Sequence, residues 1–194
     1  MRLFIAVNFD EELTGRIVEI QEKLRAAVVR GNFPRRDNLH LTLVFLGETG
    51  AGMVPAIRNI IAALPSSGAF TLNFSRAGCF RHSGKELWYI GAAPDSRGME
   101  RLLELRTKLA GGLEGLAAAM PPSVSSRAPA GGDGLSFDRR PFNAHITLGR
   151  ELRPGREFAP FPVQIEASIQ RISLMQSEHR DGRLVYTELF GKDL

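Results

Sequence analysis

The chain has 194 residues, of which 43% are hydrophobic and 24% are charged, enough apolar sequence to bury a sizeable core. Its 25 basic and 21 acidic residues give a net charge of +4, which is compatible with a polyanionic partner without being diagnostic of one. Cys79, the single cysteine, excludes an intrachain disulfide, and no apolar run reaches membrane-spanning length. We therefore expect a cytoplasmic protein that does not associate with membranes.

The N-terminal part of the chain predicts a strand, a helix and a second strand. Residues 3–7 form a continuous apolar run, which is typical of a strand covered on both faces. Asp10 can cap the following helix, whose apolar side chains recur at helical spacing as far as Val28. The second strand is predicted at residues 39–46 and ends at Gly47.

The middle of the chain predicts a helix, a pair of strands and another helix. Apolar residues recur at helical spacing over residues 54–64 and again over residues 99–109. Between these helices, residues 70–74 alternate as a half-buried strand, and residues 87–90 are expected to pair with it across a turn.

The C-terminal part predicts a loop followed by strands. Residues 117–138 are rich in Gly, Pro and Ser and poor in apolar residues, so we expect a flexible surface loop there. Two further strands are predicted at about residues 163–175 and 184–190, and Asp181-Gly182 is typical of a hairpin turn before the last one.

One short pattern occurs twice: Asn, any residue, His, aliphatic, Thr, Leu. Residues 38–43 read NLHLTL and residues 143–148 read NAHITL, each in a context that favours a strand. Because side chains alternate along a strand, His40 and Thr42 share one face, as do His145 and Thr147, while the aliphatic residues pack behind. Two such strands brought together would give one site two imidazoles and two hydroxyls.

Such a site suits phosphoryl transfer. Imidazole has an ordinary pKa of about 6.5, so one ring can accept a proton from a nucleophile while another donates a proton to a leaving oxygen. Threonine hydroxyls can donate to the non-bridging phosphate oxygens. This scheme needs no metal, and neither HExxH nor a Cys/His ligand spacing is present, so we expect no metal and no other cofactor.

Strands interleaved with few helices, and no glycine-rich phosphate loop, favour an α+β fold over a doubly wound one. The repeated motif suggests two pseudo-symmetric lobes, each an antiparallel-rich sheet with outer helices, around a central cleft that carries the two HxTx strands. We expect residues 1–194 to form a single bilobal domain.

The paired HxTx motifs resemble those of the two-histidine (2H) phosphoesterase superfamily. Several stretches look more specifically like the RNA 2′,3′-cyclic phosphodiesterases, historically also called 2′-5′ RNA ligases: residues 1–7 (MRLFIAV), residues 40–47 (HLTLVFLG), residues 140–150 (RPFNAHITLGR) and Gln176-Ser177. Two departures stand out. Ala144 replaces the Pro that often precedes the second histidine, and the segment 117–138 is longer and richer in Gly, Pro and Ser than usual.

The resemblance implies roles for individual residues. His40 would be the proton donor to the departing ribose oxygen, His145 the acceptor of a proton from the attacking water, and Thr42 and Thr147 would hold the phosphate. Members of the family open a terminal 2′,3′-cyclic phosphate on RNA, such as the end of a tRNA fragment, and leave a 2′-phosphomonoester. Ligation is the same chemistry with a 5′-hydroxyl in place of water.

Arginines cluster around both motifs and could grip phosphates, or could be ordinary solvated charges. Arg150 is the strongest candidate, although strict alternation puts it on the face opposite His145, so it needs a bulge near Gly149 to reach the site. The others are placed just before or after the motif strands: Arg35, Arg36, Arg139, Arg140, Arg153 and Arg156.

The remaining candidates each have a structural alternative. Phe45 and Trp88 could stack on a base or pack in the core, and Ser177 and Tyr186 are weaker candidates for substrate contact. Asn38 and Asn143 could orient the imidazoles or cap the strand entrances. His82 and His179 occur in turn contexts and are expected to be solvated, and Cys79 is expected to act as a small hydrophobic residue.

Two other functions remain open at the level of the sequence. The cleft could belong to a non-catalytic nucleotide- or RNA-binding module, although such a module needs no pair of proton-transfer groups. Alternatively, the enzyme could act on small cyclic nucleotides or on 2′-5′ oligonucleotides. The expected partner is an RNA with a 2′,3′-cyclic phosphate end; no protein partner is inferred, and we expect a monomer.

Overall fold

The computed structural model describes residues 1–94, 96–119, 135, 137–138, 141–155 and 159–194. Antiparallel strands with few helices between them make up these residues, which confirms the predicted α+β class. The strands are β1 (Arg2–Asn8), β2 (Val28–Asn32), β3 (His40–Glu48), β4 (Phe70–His82), β5 (Lys85–Ala92), β6 (His145–Pro154), β7 (Phe161–Ile169), β8 (Arg171–Arg180) and β9 (Arg183–Asp193). The helices are α1 (Glu11–Arg25), α2 (Val54–Ala62) and α3 (Arg97–Ala118).

The strands of the described chain form one sheet in the order β7-β4-β5-β6-β3-β1-β8-β9, and β2 pairs with the outer part of β6. All of these pairs are antiparallel. The order divides into two halves of four strands, and the halves meet where β6 pairs with β3 through Leu41 and Ile146. Each half contributes one motif strand to this junction.

Among the described residues, the three helices bury their apolar sides against one face of the sheet. The side chains of Leu13 and Ile17 on α1 join a core that also contains the aliphatic residues between and after the motif polar residues, such as Leu41 and Ile146. Asp10 caps α1 as predicted, since its carboxylate accepts from the amide of Leu13 at 2.8 Å. The burial of this face leaves the motif histidines and threonines on the other one.

The opposite face carries a small apolar cluster of its own. Phe4, Ala6 and Met175 are buried there, and Tyr186 packs against them. These residues come from β1, β8 and β9, the three strands that follow β3 in the sheet. This apolar cluster lies on the sheet face beside His40 of the first motif.

One predicted strand is in fact two. Residues 163–175 were expected to form a single strand, but β7 ends at Ile169 and β8 begins at Arg171, and they pair with β4 and β1 in different halves of the sheet. The prediction was wrong because apolar residues alternate with polar ones on both sides of the break and no Gly or Pro marks it, although the alternation changes phase between Ile169 and Ile172. The two consecutive exposed residues, Gln170 and Arg171, are where the chain changes halves.

Two other boundaries differ from the prediction. α1 ends at Arg25, and Val28, which was expected in that helix, instead begins β2. α3 continues through Ala118, so it takes the first residues of the predicted loop 117–138, of which residues 120–134 and 136 lie outside the described ones. At the other end of that segment, the amide of Asp138 donates to the carbonyl of Phe45 at 3.0 Å.

The hairpin between β8 and β9 forms where it was predicted. Asp181 and Gly182 both have positive φ, 51° and 73°, as the two-residue turn of a tight hairpin requires. Among the described helices, none is long and apolar enough to span a bilayer.

Candidate active site

The two motif strands are neighbours in the sheet. β3 and β6 pair through Leu41 and Ile146, which in each motif is the residue between the histidine and the threonine. This antiparallel register sets each histidine across from the threonine of the other strand. His40 and His145 are therefore a diagonal cross-strand pair, with Cα atoms about 7–8 Å apart. The structure brings both motifs to one place on the helix-free face of the described sheet.

Both imidazoles are held in the same way. Nδ1 of His40 lies 2.8 Å from the carbonyl oxygen of Asn38, and Nδ1 of His145 lies 2.7 Å from that of Asn143. Because a carbonyl can only accept, each Nδ1 carries a proton, and the neutral ring keeps its lone pair on Nε2. The asparagines thus orient the rings through their backbone, while the side-chain amide of Asn38 donates to the carbonyl of Leu184 at 2.9 Å.

The motif threonines lie beside these rings. The hydroxyl of Thr42 is 3.0 Å from Nε2 of His40, to which it donates when the ring is neutral. The hydroxyl of Thr147 accepts a long hydrogen bond of 3.5 Å from the guanidinium of Arg150. Each half of the site therefore pairs one imidazole with one hydroxyl, and the second half adds a positive charge.

A bulge in β6 carries Arg150 onto the site face. Thr147 pairs with Tyr89 and Gly149 with Trp88, so that Leu148 is an extra residue in β6. Leu148 and Gly149 are consecutively buried, which reverses the alternation and exposes Arg150 on the side of Thr147. This is the bulge that the sequence required for Arg150 to reach the site.

β3 contains the equivalent bulge. Thr42 pairs with Ala6 and Val44 with Ile5, so Leu43 is the extra residue. The side chain five residues after the histidine again emerges on the site face; here it is Phe45, which is 37% exposed. The two motifs thus share their local geometry but place an aromatic ring in one half and a guanidinium in the other.

His40 sits in a mostly apolar environment. Its ring lies 4.8 Å from that of Phe4 and 5.2 Å from that of Tyr186, centroid to centroid. Burial is the main cause that lowers the pKa of His40 to about 4 from its ordinary 6.5; the carbonyl of Asn38 opposes this shift, and electrostatic interaction with Arg150 and His145 adds to it. His40 is therefore neutral at pH 7. It lies close enough to Arg150 and His145 to interact with both electrostatically.

Ser177 and Tyr186 lie at the edge of the same site. Ser177 pairs with Arg2 on β1 and with Tyr186 on β9, in a row that runs across three strands. The guanidinium of Arg2 lies 5.1 Å from the ring centroid of Phe45, a cation–π contact. Arg2 and Phe4 are site-face residues that the sequence analysis missed. Alternation along β1 puts Arg2 and Phe4 on one face. The prediction that residues 3–7 are covered on both faces is confirmed, since all five are buried, but it did not identify Phe4 as a neighbour of His40.

Trp88 and several arginines lie away from the motifs. Trp88 is fully buried and its indole donates to Glu86 at 2.7 Å, so the core alternative is correct. Arg36 turns to α1, where it donates to the carbonyl of Glu11 at 2.9 Å. Arg35 forms an ion pair with Asp37, and Arg153 pairs with Arg30 of β2. Arg139, Arg140 and Arg156 lie outside the described residues.

Other reactive side chains contribute nothing to this site. His82 and His179 are exposed, as expected. Cys79 is partly buried, and this burial together with Glu86 raises the pKa of its thiol, which keeps it protonated at neutral pH. Within the described ranges, His, Cys, Asp and Glu side chains form no group of three or more suited to hold a metal ion.

The sequence of this chain is similar to those of known phosphoesterases. The profile of the LigT-like phosphoesterases matches residues 7–88, which include the first motif. An RNA 2′,3′-cyclic phosphodiesterase of Thermus thermophilus is 33% identical over 97% of this chain and 88% of its own length. The RNA 2′,3′-cyclic phosphodiesterase of Escherichia coli is 28% identical over 97% of this chain and 93% of its own.

Solved structures have the same fold. A crystal structure of a Thermus thermophilus protein superposes with a TM-score of 0.78 at 29% identity, covering 100% of this chain and 98% of that one. E. coli LigT in complex with 3′-AMP superposes with a TM-score of 0.72 at 26% identity, covering 100% and 97%. The resemblance drawn from the two motifs and their flanking residues is confirmed: the chain belongs to the LigT-like phosphoesterase family of the 2H superfamily.

Proposed function

We propose that this chain is a cytoplasmic RNA 2′,3′-cyclic phosphodiesterase that opens a terminal cyclic phosphate to a 2′-phosphomonoester by two-histidine acid–base catalysis. The observation that carries the proposal is the pair of imidazoles, His40 and His145, on adjacent antiparallel strands. Each has Nδ1 bound to a backbone carbonyl, and Nε2 of His40 is bound to the hydroxyl of Thr42. The unbroken pairing of strands from both halves supports a single bilobal unit over residues 1–194.

The base in this mechanism is His145. Its Nδ1–H is fixed by the Asn143 carbonyl, so the neutral ring offers Nε2 as a proton acceptor. Nε2 takes a proton from water as the water oxygen bonds to phosphorus. The bond from phosphorus to the ribose 3′-oxygen breaks on the opposite side, and the phosphate remains on the 2′-oxygen. The direction of ring opening follows that of the family.

The acid is His40, and its protonation depends on the substrate. In the free protein the pKa of His40 is about 4, so Nε2 of its neutral ring carries no proton to donate at pH 7. An anionic phosphate beside Nε2 favours the imidazolium and offsets the positive charge of Arg150, so binding raises this pKa. Nε2–H then donates to the departing 3′-oxygen.

The same proton changes what Thr42 can do. In the neutral site its hydroxyl donates to Nε2 of His40. Once Nε2 is protonated it can no longer accept, so the Thr42 hydroxyl is released to donate to a non-bridging phosphate oxygen. Thr147 and the guanidinium of Arg150 hold the phosphate from the other strand, where charge accumulates in the transition state.

The ribose and base of the terminal nucleotide lie on the side of His40 in this arrangement. Phe45 presents a half-exposed ring on that side, backed by Arg2, and a base can stack on it. Ser177 lies next to Arg2 in the neighbouring strand, within the same row. We assign Phe45 to base stacking and Ser177 to a polar contact with the sugar or phosphate.

The test is ring opening of a short RNA with a 2′,3′-cyclic phosphate, in the presence of EDTA, with the product identified as a 2′- or 3′-phosphate. Wild-type protein should open the ring to the 2′-phosphate. His40→Ala and His145→Ala should each lower the rate by about 10²–10⁴ while keeping the circular dichroism spectrum of the fold. His179→Ala, at an exposed hairpin position, is the matched control and should keep full activity.

Two outcomes would overturn this assignment. Retained turnover in either variant would eliminate the two-histidine mechanism. Tight binding of the RNA without ring opening would instead favour a non-catalytic nucleotide-binding module. Comparison of mononucleotide and oligonucleotide substrates separates RNA ends from small cyclic nucleotides.

A further inference from the structure

A stacked pair of aromatic rings lies beside the second motif and is not used by the hydrolytic mechanism. Tyr89 contacts the ring of His145 edge to face, with 5.7 Å between the ring centroids. Phe80 stacks on Tyr89 with 4.7 Å between centroids and 21° between ring planes. Phe80 is 52% exposed, so its outer ring face is open to solvent.

Two glycines leave the space in which the Tyr89 ring lies. Gly78 pairs with Tyr89, and a Cβ there would lie 2.8 Å from Cζ and the hydroxyl oxygen of that ring. A Cβ at Gly91, which pairs with His145, would lie 3.3 Å from Cε2. The ring therefore occupies the space that side chains would fill on either side. Phe80 packs on one side against this ring and remains exposed on the other.

The platform also carries a positive charge. Nη2 of Arg76 donates to the hydroxyl of Tyr89 at 3.5 Å, and Arg76 is exposed. An exposed aromatic face beside an arginine is the combination that binds a base and the phosphate attached to its sugar. We name Phe80, Tyr89 and Arg76 the stacking platform.

The position of the stacking platform, next to His145, indicates which part of the substrate it would bind. In the proposed mechanism the leaving ribose lies on the side of His40, where Phe45 offers its own stacking surface. The nucleophile enters on the side of His145, which Tyr89 contacts directly. Water as a nucleophile has no base to stack. A ring platform on this side fits a nucleophile that belongs to a nucleoside.

We propose that the stacking platform is an acceptor subsite that binds the 5′-terminal nucleoside of an RNA strand and presents its 5′-hydroxyl to His145. This inference rests on the proposed function. His145 takes the proton of the 5′-hydroxyl, the 5′-oxygen bonds to phosphorus, the bond to the 3′-oxygen breaks, and His40 protonates that oxygen. The product is a 2′-5′ phosphodiester, with atoms and charge balanced and no further reactant.

The experiment measures how one bound donor partitions between two nucleophiles. A donor RNA with a 2′,3′-cyclic phosphate and a blocked 5′ end is mixed with an acceptor RNA that has a free 5′-hydroxyl and a blocked 3′ end. The ratio of ligated to hydrolysed donor reports the acceptor side alone, because both products come from the same donor complex. Phe80→Ala should lower this ratio by about fivefold or more, with hydrolysis in the absence of acceptor unchanged.

Three controls test whether the effect of Phe80→Ala on this ratio comes from stacking of the acceptor base. Phe80→Trp should keep the ratio, since a larger ring still stacks. Leu103→Ala, at an exposed apolar residue of α3, should leave it unchanged. An acceptor that lacks its 5′-terminal base should lower the ratio in wild-type protein but cause no further loss in Phe80→Ala, as expected if base and ring act on each other.

Results that contradict the acceptor subsite differ from those that contradict the proposed hydrolase function. Equal ratios in wild-type protein and Phe80→Ala, or hydrolysis without ligation at saturating acceptor, would overturn the acceptor subsite while leaving the hydrolase intact. Loss of hydrolysis in Phe80→Ala would place the donor on the platform and would also overturn it. A wild-type protein that opens no cyclic phosphate would remove the proposed function itself.

Discussion

The buried imidazole of His40 makes the stability of the fold depend on pH in a defined direction. The folded protein holds its pKa at about 4, whereas the unfolded chain has the ordinary value of 6.5. Between these values the unfolded state binds a proton that the folded state does not, so acid favours unfolding. The stability associated with a neutral His40 is fully present above pH 6.5 and is lost as the pH falls toward 4. The difference corresponds to about 3 kcal/mol.

The change that isolates this contribution is His40→Gln, which keeps an amide to donate to the Asn38 carbonyl but removes the titrating group. Urea unfolding at a series of pH values from 7 to 4 gives the free energy of unfolding of each protein. The gap between wild type and His40→Gln should change by about 3 kcal/mol across this range, in favour of the variant at low pH. His82→Gln, at an exposed histidine, should follow the wild-type pH dependence.

Parallel pH dependences in wild type and His40→Gln would refute this reasoning. So would an NMR titration of the His40 ring with a midpoint near 6.5, since that would mean the ring is solvated as in an unfolded chain. Addition of inorganic phosphate should raise the midpoint, because the anion favours the charged ring.

The remaining predictions concern packing and the division of roles. Gly98→Ala should destabilise the fold by about 1–3 kcal/mol in urea unfolding, because the new Cβ would lie 1.9 Å from a backbone carbonyl oxygen of β4. The control is Gly111→Ala in the same helix, whose Cβ would meet nothing within 4 Å. This substitution should be neutral or stabilising. On a 3′-deoxynucleoside 2′-(p-nitrophenyl phosphate), whose leaving group needs no proton, His40→Ala should recover most of its lost rate and His145→Ala should not; equal losses would contradict the assignment of acid and base. Arg150→Gln should raise the pKa of His40 in the NMR titration, since the guanidinium charge lowers it, and should raise KM for the cyclic phosphate; an unchanged His40 midpoint would contradict the electrostatic argument.

The sequence predicted which candidate site residues share a face, because that depends on alternation within a single strand. His40 and Thr42 share a face because they are two residues apart, and the same holds for His145 and Thr147. The hydrophobic pattern behind them was also sufficient to predict an α+β fold. The prediction for Arg150 carried a condition, a bulge near Gly149, and the structure contains a bulge at that place.

What the sequence did not predict depends on pairing between distant segments. The bulge that turns Phe45 outward is visible only once Thr42 and Val44 are matched to Ala6 and Ile5. The division between β7 and β8 follows from the different partner strands that each one meets. Its local signal, two consecutive polar residues at Gln170 and Arg171, is weaker than a Gly or a Pro. The Phe80–Tyr89 stack requires the register of β4 on β5 and the two glycines beneath it, which periodicity alone does not encode.

The central claim is that His40 and His145 act on opposite sides of one phosphorus atom. Uridine vanadate, a five-coordinate mimic of the transition state, tests it most directly when the ring nitrogens are followed by ¹⁵N NMR. One equivalent should shift the Nε2 resonances of both histidines and leave both Nδ1 resonances, which are bound to the Asn38 and Asn143 carbonyls, nearly unchanged. A shift confined to one ring at saturation, or to neither, would contradict the account.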